Sequence, residues 1–140
     1  MIVLDTNVIS ELTRHTPDPG VQAWLDSQPA TEIATTAITA AELLYGVRRL
    51  PAGDRKTVLA TKINTLVNDL FAGRIEPFDS FAATQYAAVV GDRDKLGRPI
   101  AVADAQIAAI CRARQASLAT RNIKDFEETG VELVNPWSPQ

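Results

Sequence analysis

The sequence contains one cysteine, Cys111, and one histidine, His15, among its 140 residues. A single cysteine excludes an intramolecular disulfide and is typical of a reducing compartment, so we expect a cytoplasmic location. The scarcity of both residue types also argues against a zinc centre and against a cysteine–histidine nucleophile pair. Any catalytic chemistry in this chain is therefore expected to use other side chains.

No apolar run approaches the ~20 residues that a membrane-spanning helix needs. The chain also does not open with the basic and apolar regions of a secretory signal, because a buried strand is predicted from residue 2. The hydrophobic fraction of 46% and the charged fraction of 22% are ordinary for a globular protein. We therefore expect a single domain over residues 1–140 and no membrane association.

Basic residues are not in excess, since 14 of them face 17 acidic residues and the net charge is −3. A module that binds nucleic acid through a broad basic face usually has the opposite balance. A metal-dependent nuclease is still allowed, because it keeps carboxylates in its site and needs only local cations for the flanking phosphates. The candidates for such phosphate contacts are Arg93, Lys95, Arg98, Arg112, Arg114, Arg121 and Lys124.

Short apolar segments alternate with helical patterns along the chain. Strands are predicted at residues 2–4, 32–36, 74–78, 117–120 and 131–134, and helices at residues 8–14, 21–27, 39–50, 54–72, 80–95, 100–114 and 123–128. Gly73 is expected to end the long fourth helix in a left-handed conformation, and Pro77 indicates an edge strand. This alternation predicts an α/β fold whose parallel sheet is covered on both faces.

Three carboxylates stand where functional groups gather in such folds. Asp5 follows the first predicted strand, and Glu42 and Asp104 lie at the starts of predicted helices. Ligands and chemistry collect at the carboxyl ends of the strands in an open α/β sheet. No lysine or arginine stands in the same short motifs, so the three acids suggest a divalent metal site.

Two of these acids also have a purely structural interpretation. Asp5 is followed by Thr6 and Asn7, and all three residue types favour turns. With Thr39 as the N-cap of its helix, Glu42 falls at the third helical position and completes a capping box. Local sequence alone therefore does not decide between a cap and a ligand for Glu42.

Asp104 is harder to explain as a structural residue. On a helix it shares the apolar face of Ile100, Ile107, Ala108 and Cys111, near the helix start. Acids on such a face are rarely tolerated without a partner. The structural alternative is an inward salt bridge or a satisfied N-terminal cap.

Other polar and aromatic residues are weaker candidates. Asn122 follows a predicted strand and reaches the same sheet edge, although its local context favours a loop residue or an N-cap. Asp125 is either a fourth acid of the site or a first-turn charge on a short helix. We interpret the tryptophans and tyrosines as packing residues rather than base-stacking platforms; they are Trp24, Trp137, Tyr45 and Tyr86.

Five segments in this order resemble a PIN-domain ribonuclease, and more narrowly a VapC-type toxin of bacterial toxin–antitoxin pairs. They are LDTNVIS at 4–10, ITAAELLYG at 38–46, ADAQIA at 103–108, LATRNIKDF at 118–126 and NPW at 135–137. The resemblance implies a three-layer α/β/α sandwich with a mostly parallel central sheet. It also implies an acidic pocket that binds Mg²⁺ or Mn²⁺ and cleaves RNA to products with 5′-phosphate and 3′-hydroxyl ends.

The resemblance assigns roles by position. Asp5, Glu42 and Asp104 match the acids of the family, with Thr6 and Thr120 as supporting hydroxyls. We assign Asp5 and Asp104 as the main metal ligands. Glu42 is either a third ligand or the group that orients the attacking water.

One position departs from the family pattern. Many PIN domains carry a fourth acid where this chain has Asn122, so a second metal ion requires Asp125 to reach the site. The same departure supports an alternative, an inert PIN-like module that binds protein or RNA without cleaving it. A phosphatase of the haloacid-dehalogenase type is a further alternative, although Asn7 stands where that family usually has its second acid.

The resemblance also implies partners. We expect an antitoxin protein whose tail or helix covers the acidic groove, since three acids form a ready site for a guanidinium fork. A homodimer is also expected. Apolar side chains near the first helices could line either contact or simply pack in the core; they are Leu12, Trp24, Leu43, Leu44, Val47 and Leu50.

Overall fold

The computed structural model describes residues 1–139 and contains a five-stranded parallel sheet of order β3-β2-β1-β4-β5. The strands are β1 (Ile2–Leu4), β2 (Ile33–Thr36), β3 (Ile75–Glu76), β4 (Ser117–Ala119) and β5 (Leu133–Val134). Val3 pairs with Ala34 on one side and with Leu118 on the other. The strand order therefore reverses between β1 and β4, and this switch point is where α/β sheets open a crevice for ligands.

Seven α-helices accompany the sheet. They are α1 (Thr6–Leu12), α2 (Pro19–Asp26), α3 (Ala37–Arg48), α4 (Asp54–Thr65), α5 (Ser80–Lys95), α6 (Val102–Arg114) and α7 (Ile123–Phe126). No helix within residues 1–139 combines the length and the apolar character that crossing a bilayer requires.

The two faces of the sheet bury separate apolar clusters. Leu4 of β1 packs with α1 to α4 through side chains that include Trp24, Leu43 and Ile63. Val3 of the same strand points to the opposite cluster, which α5, α6 and α7 complete. Because successive strand residues face opposite sides, one strand supplies both cores. The predicted α/β/α sandwich with a parallel sheet is confirmed.

This packing sorts the apolar residues that the sequence left open for partner contacts. Trp24 and Leu43 are core residues, and Leu12 and Val47 pack against them. Leu44, by contrast, is 44% exposed. The pattern of apolar residues could not separate these cases, because α3 is apolar over more of its surface than one core contact uses.

The predicted start of the third helix was wrong. Thr36, not Thr39, is the N-cap of α3, and its Oγ1 accepts a hydrogen bond of 3.1 Å from the Thr39 backbone N–H. The helix therefore begins directly after β2, and Glu42 lies in its second turn. Glu42 cannot form the predicted capping box at this position, which removes its structural interpretation.

The long helix predicted over residues 54–72 is α4 followed by a π-helical turn, Leu66–Leu70. In this wider turn the Phe71 N–H donates to the Leu66 carbonyl at 2.9 Å, and Phe71 is buried with Ile63 in the core. Gly73 follows with φ of +75°, as expected for a residue that ends a helix in the left-handed region. β3 is an edge strand and ends immediately before Pro77.

Candidate active site

Asp5 occupies the switch point of the sheet as the N-cap of α1. Its Oδ1 accepts a 2.8 Å hydrogen bond from the Thr6 N–H, and its Oδ2 accepts one of 2.8 Å from the Thr120 hydroxyl. The side chain is 5% exposed. Burial raises the pKa of the Asp5 carboxyl above its ordinary value, and the hydrogen bonds from Thr120 and Thr6 offset part of this effect.

Glu42 stands at the rim of the same region. The Thr6 hydroxyl donates a 2.8 Å hydrogen bond to Glu42 Oε1, and Thr39 Oγ1 lies 3.2 Å from Thr6 Oγ1. Thr6 therefore connects Asp5, the N-cap of α1, with the second turn of α3. This contact aims an otherwise exposed glutamate toward the switch point.

Asp104 approaches from the other side of the sheet, in the first turn of α6. Burial raises the pKa of its carboxyl to about 6, and the negative charges of Asp5, Asp125 and Glu42 add to the shift. Within residues 1–139 no ion pair neutralises Asp104, so the salt bridge offered as its structural explanation is absent. The charge of Arg93 offsets only part of this shift, so Asp104 is a carboxyl without an ion-pair partner in the cavity that Asp5 and Glu42 also line.

Asp5, Glu42 and Asp104 line one open cavity of about 500 Å³. Three elements that are distant in sequence thus bring their acids to a single place. The other lining residues are Thr6, Asn7, Ser10, Glu11, Arg14, Arg121, Asn122 and Trp137. Thr120 is fully buried behind Asp5 and holds it in place.

A model of the PIN domain matches residues 2–132 of the chain. The chain belongs to the PIN-domain family. The VapC ribonuclease Y4jK of Sinorhizobium fredii is 42% identical over 139 residues, which cover 99% of each chain. Toxin FitB of Neisseria gonorrhoeae is 43% identical over 137 residues, which cover 98% of this chain and 99% of the relative.

A solved structure extends this similarity to the fold. FitAB bound to the IR36 DNA fragment contains a chain that matches with a TM-score of 0.93 at 41% identity. The match covers 100% of this chain and 98% of the other. Sequence and fold therefore agree on the family along the whole chain.

The oxygens in the cavity of this PIN domain are the hard ligands that Mg²⁺ and Mn²⁺ prefer. Over residues 1–139 no group of three or more histidine, cysteine, aspartate or glutamate side chains is arranged to hold a metal ion. Mg²⁺ does not need such a group, since it usually binds through one or two carboxylates and keeps several waters. The donor set fits such a hydrated ion held mainly by Asp5 and Asp104.

Asn7 is a site residue that the sequence analysis treated only as a turn former. Its Nδ2 lies 3.4 Å from both Asp5 Oδ2 and Thr120 Oγ1, and its Oδ1 accepts a 3.2 Å hydrogen bond from the Arg121 N–H. Asn7 therefore ties the turn after β1 to the segment after β4. Its position two residues after Asp5 at a strand end was the available signal.

Asn122 and Asp125 take different positions. Asn122 lines the cavity from the N-cap position of α7 without a side-chain cap bond, and its N–H donates to Thr120 Oγ1 at 3.0 Å. Asp125 does not line the cavity, although its charge raises the pKa of both Asp5 and Asp104.

The seven basic candidates for phosphate contacts differ in whether they reach the acidic cavity. Arg93 was assigned wrongly, since it is 4% exposed and donates to the carbonyls of Asp125 and Glu127 at 3.0 and 2.9 Å. Arg114 pairs with Glu76, on the opposite edge of the sheet from β5. Of the seven, Arg121 lines the acidic cavity; the other six, Arg93, Lys95, Arg98, Arg112, Arg114 and Lys124, do not.

Proposed function

We propose that this PIN domain is an endoribonuclease that depends on Mg²⁺ or Mn²⁺. The observation that carries the proposal is the meeting of Asp5 and Asp104 in one open cavity, with the pKa of both carboxyls raised. Carboxylates without a cationic partner lower the stability of a fold, and they are typically retained where function requires them. The relative Y4jK is named a VapC ribonuclease, which agrees with ribonuclease activity.

The chemistry follows from charge at the cavity. A bound divalent ion supplies Lewis acidity, which lowers the pKa of water and neutralises charge on a phosphodiester. Asp5 and Asp104 would provide the ligand oxygens, and Thr120 fixes Asp5 Oδ2 by its 2.8 Å hydrogen bond. Glu42, which accepts a hydrogen bond from the Thr6 hydroxyl, would orient the attacking water from the rim.

The test is cleavage of a single-stranded RNA by the purified chain with Mg²⁺, with Mn²⁺ and with EDTA. We expect metal-dependent products with 5′-phosphate ends, read by mass spectrometry. Asp5→Asn and Asp104→Asn should each slow cleavage by about 10²–10³-fold, the loss typical of removing one electrostatic stabiliser. Asp92→Asn, an exposed residue of α5, is the matched control.

Two outcomes would contradict the proposal. Cleavage that persists in EDTA, or in the Asp5→Asn variant, would show that another site or a contaminant acts. RNA binding without any cleavage would favour the inert PIN-like module. The phosphatase alternative needs a second acid at position 7. This chain has Asn7 there, and the Asn7 side chain is hydrogen-bonded within the protein.

We further propose that the chain is the toxin of a toxin–antitoxin pair, that it forms a homodimer and that its antitoxin covers the acidic cavity. The support is its similarity over nearly its whole length to toxin FitB and to a chain of FitAB. Expressed alone in bacteria, the wild-type chain should arrest growth, whereas Asp5→Asn at equal abundance should not. Equal harmlessness of the two would contradict the toxin proposal, and light scattering tests the dimer.

A further inference from the structure

Arg121 and Trp137 form a stacked pair at the rim of the acidic cavity. The guanidinium carbon of Arg121 lies 4.8 Å from the centroid of the Trp137 ring, and both side chains line the cavity. Arginine stacked on tryptophan is a favourable cation–π arrangement. The two residues come from the segments after β4 and after β5, so the sheet, not the local sequence, brings them together.

The backbone N–H groups of both members of the pair are hydrogen-bonded to asparagine side chains. The Arg121 N–H donates to Asn7 Oδ1 at 3.2 Å, and the Trp137 N–H donates to Asn135 Oδ1 at 3.0 Å. Trp137 also packs partly against the core cluster that contains Leu4. The guanidinium therefore rests on a ring that cannot move away without disturbing the core.

The Arg121 guanidinium keeps its donors available. In the described part of the chain, residues 1–139, no hydrogen bond or ion pair involves its side-chain nitrogens. Arg14, the other arginine of the cavity, instead donates to both carboxylate oxygens of Glu11 at 3.1 and 3.2 Å. Arg121 is thus held within reach of the cavity without being neutralised by its acids.

This charge pattern selects a particular ligand. The acids of the cavity repel a lone phosphate, whereas a divalent ion bound there would offset two of their negative charges and would bind one phosphate. A second anionic group would then meet Arg121 at the rim, and a guanidinium binds phosphate through two parallel hydrogen bonds. A chain of successive phosphates, as in single-stranded RNA, matches both positions.

We propose that Arg121, held flat by Trp137, anchors the RNA phosphate next to the one that is cleaved. The inference rests on the proposed ribonuclease function and adds the residue that positions the substrate. Arg121 is a binding residue in this role, and Trp137 is a positioning residue that acts through it. Their contribution is to substrate affinity rather than to the chemical step.

Kinetics and binding test the anchor separately. Arg121→Gln should raise KM for a single-stranded RNA about tenfold, as expected for loss of a charged hydrogen bond, and change kcat less than about threefold. Trp137→Leu should shift KM in the same direction by a smaller factor. Arg121→Lys should recover only part of the affinity, because lysine keeps the charge but not the fork or the stacking.

Affinity for a fluorescein-labelled RNA, measured by anisotropy in the Asp104→Asn background, gives a readout without cleavage. Arg121→Gln should reduce the slope of log K against log salt concentration by about 0.7, the value for one phosphate contact on a single strand. Arg121→Lys should keep the slope. Arg49→Gln is the matched control, since Arg49 stacks on Tyr45 at 5.4 Å without lining the cavity.

The outcomes separate this inference from the ribonuclease proposal. RNA binding that depends on Arg121, together with no cleavage by the wild-type chain in Mg²⁺ or Mn²⁺, would support Arg121 as a phosphate contact and contradict the nuclease. Cleavage with unchanged KM in Arg121→Gln, or an equal loss in Arg49→Gln, would overturn the anchor and leave the nuclease standing. A loss of kcat at constant KM would also overturn it. So would unchanged RNA affinity with loss of binding to a protein partner.

Discussion

Thr120 Oγ1 donates a 2.8 Å hydrogen bond to Asp5 Oδ2, and this contact joins the ends of β4 and β1 behind the cavity. Both side chains are buried, at 0% and 5% exposure. Asp5 Oδ1 is held by the Thr6 N–H at 2.8 Å. Both oxygens of the carboxylate are therefore oriented by the protein before any ligand binds.

Thr120→Val tests the contribution of this contact. Removing the hydroxyl should lower the free energy of unfolding by about 2 kcal/mol at pH 8, because hydrogen bonds to charged acceptors contribute ~1.5–3 kcal/mol. Thr35→Val is the control, since Thr35 Oγ1 donates to the neutral Leu4 carbonyl at 3.0 Å and should contribute about 1 kcal/mol. Equal losses in urea unfolding would mean that the charge of Asp5 adds nothing to its bond with Thr120.

Asp104→Asn should abolish cleavage and yet stabilise the protein when no metal is present. The carboxyl is partly buried beside Asp5, with the pKa raised to about 6, so its charge opposes folding. After allowance for solvent screening we expect a gain of about 1 kcal/mol at pH 8 in EDTA. Urea unfolding measures the gain, with Asp92→Asn as the control; a marked loss instead would identify Asp104 as a structural residue.

The same carboxyl predicts a pH dependence of stability without metal. The pKa of the Asp104 carboxyl is 3.8 for a free aspartate, taken as the unfolded chain, and about 6 in the folded protein. The folded form therefore binds the proton more tightly. Its stabilising contribution is present below pH 4 and is lost as the pH rises through about 6.

The measurement is the difference in stability between Asp104→Asn and wild type in EDTA, from pH 4 to pH 8. This difference cancels the groups that titrate alike in both proteins. We expect the advantage of the variant to grow with pH up to about 6 and then to level off. A constant difference over this range would show that the pKa of Asp104 is not raised by folding.

The succession of strands and helices along the chain and the covering of the sheet on both faces could be predicted because they depend on local patterns. Alternation of apolar segments with helical periods is visible in any short window. The starts of α1 and α3 were misplaced by about two residues, since the caps are Asp5 and Thr36 and the residue types of Asn7 and Thr39 are also suitable N-caps. Which of the neighbouring residues becomes the N-cap depends on where the preceding strand of the sheet ends.

The acids of the cavity could be proposed from sequence because each lies at a strand end or near a helix start. The pair of Arg121 and Trp137 could not, since their contact requires β4 and β5 to be neighbours in the sheet. Asn7 was missed for the same reason, because its partner Arg121 follows β4. A short window of the sequence does not show which strand ends will be in contact.

Arg93 is the basic candidate that the structure places inside the protein rather than on its surface. Its guanidinium is 4% exposed and donates to the backbone carbonyls of Arg98, Asp125 and Glu127. The sequence around it is charged and resembles a solvated surface, whereas packing of α5 against the segment before α6 and the end of α7 buries it. A buried cation that satisfies carbonyls stabilises the fold and cannot reach a substrate.

Arg93→Met should therefore lower the free energy of unfolding by about 3 kcal/mol, because it leaves three partly buried carbonyls without their donor. Lys95→Met, at an exposed position of the same helix, should change stability by less than about 0.5 kcal/mol. At pH 8 and at a temperature where the variant remains folded, its KM for RNA should stay within about twofold of wild type, since Arg93 makes no substrate contact. A rise in KM with unchanged stability would restore Arg93 as a phosphate contact and would contradict its structural role.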